Sequence, residues 1–216
     1  MTKTIDKLGD PVSRRKFMAL SGGSAAAAAF LAACGDDDGS TTAMGGAAGG
    51  EEAALEQFGK GDVGILNYAL TLEYLEDDFY KDVVASGLFK GADLATIEKF
   101  GQSEAQHVAA LKGFVRNAGA KPAPRPKTEF PLKDAKSVLE LAATVENLGA
   151  AAYLGQAPNI KSDTVLAAAL SIHSVEGRHA AALNTLLGKT IVPDGAFAKP
   201  ADASTVLKSV EPFIVG

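Results

Sequence analysis

From Asp62 onward the apolar residues recur at helical spacing rather than alternating, and the pattern predicts four helices. The first runs from about Val63 to Ala85 with Asp62 as its N-cap, and a short loop, "SGLFKGA", follows it. Asp93 then stands as N-cap of a second helix that ends near Asn117, with Gly119 as the stop. The next stretch, "AKPAPRPKTEFPLKD", carries Pro122, Pro124, Pro126 and Pro131 and must be extended, since proline breaks a helix interior. A third helix starts between Lys133 and Ser137, where "SVLE" offers a capping box from Ser137 to Glu140, and ends near Leu154. Ser162 or Asp163 caps a fourth, which ends at Gly188, and the remaining tail has room for a short helix around residues 203–210.

Loops this short make each helix pair an antiparallel hairpin. The proline-rich connection between the hairpins is long enough to return along the whole bundle, since about 15 extended residues at roughly 3.3 Å each outreach a helix of about 23 residues at 1.5 Å each. On this reading the first and third helices run parallel, as do the second and fourth. The expected fold is all-α: a four-helix bundle over residues 59–190, two antiparallel hairpins joined by a long crossover, with a C-terminal tail at 191–216.

Composition agrees with closely packed helices. The chain is 47% hydrophobic, but alanine supplies much of this and aromatics only 6%, which disfavours a β-sandwich. The net charge of -5, with no basic stripe or aromatic cluster, argues against nucleic acid as a partner. A single cysteine rules out an internal disulfide.

That cysteine closes a different pattern. "SRRKFMA" places Arg14 and Arg15 ahead of the weakly apolar run "ALSGGSAAAAAFLAA", which looks like a twin-arginine export signal. The run is too short and too rich in glycine and alanine for a membrane span. It ends in "LAAC", which resembles a bacterial lipobox with cleavage before a lipid-bearing Cys34. Residues 1–33 are then a signal peptide and residues 34–58 a flexible tether, too poor in apolar surface to fold. The protein is expected to be exported and held by lipid to the outer side of the cytoplasmic membrane.

The chemistry lies in a repeat. Residues 104–111, "EAQHVAAL", and residues 176–183, "EGRHAAAL", share the pattern E-x-x-H-x-A-A-L. Upstream of each stands a lone glutamate, Glu73 and Glu146, and seven residues beyond each of these a tyrosine, Tyr80 and Tyr153. The second hairpin thus repeats the first at a period of about 73 residues. Positions i and i+3 share a helix face, so Glu104 with His107 and Glu176 with His179 can reach the bundle interior together. Four carboxylates and two imidazoles suit two first-row ions, iron or manganese, whose charge the carboxylates balance. Without metal such a buried cluster is severely unfavourable. One Glu from each of two helices and Glu-x-x-His from the other two is the arrangement of ferritin-like carboxylate proteins.

On these residues the chain resembles the ferritin-like superfamily over roughly residues 59–188. It is most similar to exported bacterial ferritin-like proteins grouped with stress- and desiccation-related ones. The resemblance implies that Glu73 and Glu146 are the single ligands, and that Glu104/His107 and Glu176/His179 pair a bridging-type Glu with its His. Rubrerythrin-like members carry a further Glu three residues after the third-helix ligand, where this chain has Gly149. On the first helix Glu76 stands three residues after Glu73, as an extra ligand or as a solvated acid beside Asp77 and Asp78. Tyr80 and Tyr153 either hydrogen-bond to ligands or pack as core. His173 reads as structural or as a support to the ligands rather than as a ligand.

The function expected is a di-iron centre, or di-manganese, that oxidises Fe(II) or reduces O₂ or peroxide. No CxxC module or haem motif supplies a second redox centre, so an electron donor of unknown identity must come from outside. The alternative is a non-enzymatic metal-binding or structural lipoprotein of the envelope with a stress-protective role. A homodimer is left open by the sequence.

Overall fold

The computed structural model describes residues 48–215. Among them are six α-helices and no strand: α1 Ala48–Glu56, α2 Gly61–Ser86, α3 Gly91–Asn117, α4 Ala135–Gln156, α5 Asp163–Leu186 and α6 Ala203–Val210. Helices α2 to α5 are the four read from the sequence, and α6 lies where the short tail helix was expected. Helix α1 is a correction, because it occupies part of the stretch read as tether. The signal and lipidation residues, Arg14, Arg15 and Cys34, lie outside the described residues.

The caps differ in detail. Lys60 and Lys90, not Asp62 and Asp93, occupy the N-cap positions of α2 and α3, and both aspartates sit in the first turn, where the helix dipole favours an acid. Asp62 is used elsewhere: it accepts the backbone N–H groups of Lys161 and Ser162, both at 2.8 Å, and ties the α4–α5 loop to the start of α2. The capping box of α4 runs from Asp134 to Ser137, one turn earlier than expected. Ser162 caps α5 through the N–H of Val165.

The hairpins α2/α3 and α4/α5 form as expected, but the helix directions are corrected. Tyr153 reaches Glu73 and Tyr80 reaches Glu146, so α2 and α4 run antiparallel. The crossover begins where α3 ends, beside the start of α2, and delivers the chain to the opposite end. Helix α4 therefore runs the same way as α3. The crossover follows α2 throughout: the N–H of Ala123 donates to Asn67 at 2.8 Å, and Arg125 pairs with Asp77 at 2.6 Å and with Asp78. The Arg125 guanidinium also lies 4.3 Å above the Tyr74 ring.

The C-terminal segment completes this wall. Backbone bonds join Val215 to Lys127 and Glu129 to Phe213, and Phe130 packs on both Phe79 and Phe213. Helix α6 packs Ala203, Val206 and Val210 against Tyr68, Leu72, Leu75 and Ala152. With α6 and the crossover on its outer side, α2 is buried nearly all round between Gly64 and Tyr80. The approach of the tail depends on Gly155: a Cβ there would stand 2.0 Å from the carbonyl oxygen of Ala201, whose N–H bonds to Ala151 at 3.0 Å.

Gly155→Ala is therefore expected to destabilise the protein by about 1–3 kcal/mol, because backbone must move to admit the methyl group. Gly113→Ala, where nothing lies within 4 Å, should be neutral or stabilising by about 0.5–1 kcal/mol. Urea midpoints of the two variants check both expectations.

Candidate metal centre

Helix α3 buries the stripe Ile97, Phe100, Glu104, Val108, Leu111 and Val115. The spacing is that of an amphipathic helix, but one core position is an ionisable acid. Helix α5 does the same with Ala169, Ile172, Glu176, His179 and Leu183. Glu73 lies near the middle of α2 and Glu146 near the middle of α4, so the four acids meet midway along the bundle. Each is 0% exposed. One apolar cluster, including Leu66, Leu70, Val108, Leu111 and Ile172, packs on one side of them. A second, including Phe79, Val83, Ile97, Val138 and Leu183, packs on the other.

The six residues expected as ligands are brought together. His107 Nδ1 lies 2.8 Å from Glu104 Oε2, 3.2 Å from Glu73 Oε2 and 3.2 Å from Glu176 Oε1. His179 Nδ1 lies 3.0 Å from Glu104 Oε1 and 3.2 Å from Glu146 Oε2. The donor atoms fall into two sets, Glu73, Glu104, His107 and Glu176, and Glu104, Glu146, Glu176 and His179, each within a 4.8 Å spread. Donors bonded to one ion at roughly 2.0–2.2 Å lie at most about 4.4 Å apart, a comparable spread.

Hydrogen bonding alone does not satisfy this cluster. A single Nδ1 of His107 carries one proton at most, yet three carboxylates converge on it. Glu176 Oε2 has no hydrogen-bond donor, and Glu104 Oε1 and Glu176 Oε1 meet only imidazole nitrogens that other carboxylates also claim. Unpaired buried carboxylate oxygens are costly, and a cation is the partner that answers several at once. The residues present therefore fit a metal site.

Around the cluster the tyrosines exchange places. Tyr153 on α4 donates to Glu73 Oε1 at 2.6 Å, and Tyr80 on α2 donates to Glu146 Oε1. Both tyrosines also pack in the apolar clusters, so core packing and the hydrogen bond to a buried glutamate occur together. His173 belongs to neither set, and its Nδ1 lies 2.9 Å from the carbonyl oxygen of Ala150, a contact between α5 and α4. Glu76 is not solvated: it is 3% exposed. Sequence reasoning passed over Phe100, whose ring lies 4.3 Å from that of His179, centroid to centroid. Its position one turn before Glu104 on the same face was the available signal.

Burial raises the carboxyls of Glu73 and Glu146 well above the ordinary range; the charge of Glu176 adds to this, and the histidines act against it. For Glu104 burial also acts upward, but the hydrogen bonds and charges of His107 and His179 overcome it and hold the group down at about 2. Burial disfavours the charged imidazoles, yet their carboxylate partners push His107 up to about 12 and His179 to about 10. Burial likewise raises the Tyr80 and Tyr153 hydroxyls, so they remain protonated donors.

A family model, Ferritin-like domain, matches residues 61–189, and the chain belongs to this family. Among solved structures, the chain is similar to the crystal structure of a conserved hypothetical protein, rv2844, from Mycobacterium tuberculosis. The TM-score is 0.54 at 17% identity, over 59% of this chain and 90% of that one, and at that identity the likeness speaks for the fold alone. No curated protein matches significantly.

The charge arrangement sets a pH dependence for the metal-free protein. Histidine pKa values raised on folding contribute stability below about 6.5, the unfolded value, and that contribution is lost as pH rises through about 10 and about 12. Glu73 and Glu146, also raised, act in the same direction above the ordinary carboxylate range. Metal-free protein should thus have a lower urea midpoint at pH 9 than at pH 6.5. Metal-loaded protein should not show this loss, because the ion requires deprotonated ligands.

Proposed function

We propose that the bundle holds two iron ions, with manganese the alternative, and oxidises Fe(II) or reduces O₂ or peroxide outside the cytoplasmic membrane. The observation that carries this reading is the sharing of Glu104 and Glu176 between the two donor sets, which leaves Glu73 with His107 at one position and Glu146 with His179 at the other. Two adjacent redox-active ions supply paired electron transfer to a small oxidant. The chain's own residues provide the setting. Glu104 and Glu176 span both positions. Tyr80 and Tyr153 fix the outer oxygens of Glu146 and Glu73, Phe100 covers one face of His179, and the two apolar clusters keep bulk water away. The electron donor for repeated turnover is external.

Anaerobic titration should show about two Fe(II) bound per chain, and admission of O₂ or peroxide should then give a ferric absorbance. Glu104→Ala combined with Glu176→Ala should abolish both. Two ions bound with no oxidation by either oxidant would favour the alternative, a metal-binding envelope protein without turnover.

The twin-arginine and lipobox patterns support an exported, lipid-anchored form that crosses the membrane already folded. Replacing Arg14 and Arg15 by lysine should leave the protein in the cytoplasm. Cys34→Ser should release the exported chain from membranes. Fractionation with detection of the bundle checks both, and wild-type protein taken from the envelope should already contain metal.

A further inference from the structure

The internal repeat has one conspicuous break. Counting three residues beyond the lone glutamate of each hairpin gives Glu76 on α2 and Gly149 on α4. Because α2 and α4 run antiparallel and cross near their centres, these matched positions face each other. A Cβ built on Gly149 would stand 2.9 Å from Glu76 Oε1 and 3.3 Å from Glu176 Oε2. The Glu76 carboxylate thus occupies space that exists because its counterpart has no side chain. Only one of the two positions can carry an acid.

The surroundings of Glu76 give its charge no outward route. On the outer side lie Leu72, Leu75, Val145, Leu148, Val206 and Val210, the last two from α6. Glu76 is 3% exposed and makes no hydrogen bond with any described residue. The neighbouring oxygens on the inner side include Glu176 Oε2, which lacks a hydrogen-bond donor. Two adjacent buried carboxyl groups are an unfavourable pair while both are charged, unless a proton or a cation lies against them.

We propose that Glu76 is a seventh protein ligand of the metal centre, entering between α2 and α4 while His107 and His179 enter from α3 and α5, and admitted by the missing side chain at Gly149. Glu104 and Glu176 serve both positions, so each position has four of the six residues, and Glu76 added at one position alone makes the two unlike. The two ions are therefore held unequally and bind in order. This inference rests on the two-ion reading above.

The test is Mn(II) binding by full-length protein, followed by chelator competition and by the electron paramagnetic resonance of the bound ions. Wild type should take up two Mn(II) with separable affinities. Glu76→Gln should weaken at least one of them by about 10- to 100-fold, the range seen when groups supporting a metal site are removed, and should alter the spectrum. Gly149→Ala keeps every carboxylate, and its methyl group crowds Glu76 Oε1 most closely, at 2.9 Å against 3.3 Å for Glu176 Oε2, both ends of flexible side chains, so it should fold normally and weaken binding in the same way. Gly113→Ala should bind as wild type does. Moving the acid across the repeat, with Glu76→Gly and Gly149→Glu together, should restore tight binding of both ions.

Wild-type affinities and an unchanged spectrum in Glu76→Gln and Gly149→Ala would overturn the seventh ligand while leaving the two-ion centre standing. Wild-type protein that holds no Mn(II) or Fe(II) would overturn both.

Discussion

Charge concentrated where water cannot reach governs this bundle. Glu73, Glu104, Glu146 and Glu176 lie without exposure midway along four helices whose other core positions are mostly apolar. An unpaired carboxylate in such surroundings costs several kcal/mol, and four neighbours add mutual repulsion. The nearby features answer that cost. Imidazoles approach from α3 and α5, tyrosine hydroxyls cross between α2 and α4, and apolar clusters close both ends. With no metal bound, protons must supply the positive charge: burial pushes Glu73 and Glu146 toward the protonated form, and the carboxylate partners hold the histidines protonated. Metal and protons are thus competing solutions to one electrostatic problem.

The antiparallel arrangement of α2 and α4 lets one repeated hairpin serve twice. Each hairpin contributes a tyrosine that holds the other hairpin's lone glutamate, so neither half of the centre is complete within its own hairpin. Correct assembly of the ligands therefore depends on docking of the hairpins. Outside the centre, Asp62 of α2 holds the α4–α5 loop, and Arg125 of the crossover is held by Asp77 and Asp78 of α2.

Much of this could be read from the chain. The six ligand candidates came from one repeated pattern and two upstream acids, because a helix face is a local property that spacing encodes. Direction was harder: the crossover's length was legible, but it sets α4 parallel to α3 rather than to α2, and this follows only when its starting end is tracked. Asp62 and Asp93 carried the right chemistry for caps but sit inside the first turn, a shift of a few residues that propensity does not resolve. Helix α1 was missed because its Gly- and Ala-rich sequence has little apolar face of its own. Leu55 and Phe58, at and just beyond its end, find cover only against the packed bundle, Phe58 on the ring of Tyr68. Glu76 stayed ambiguous because sequence gives its neighbours along α2 but not the glycine it faces.

Helix α6 lies last among the helices along the chain, yet Val206 and Val210 close the apolar wall behind Glu76. During synthesis the four long helices emerge before that wall exists. Closure of the flank beside Gly149 therefore depends on the docking of α6 through Val206 and Val210, and a chain cut short before α6 would keep its four long helices yet leave that flank open.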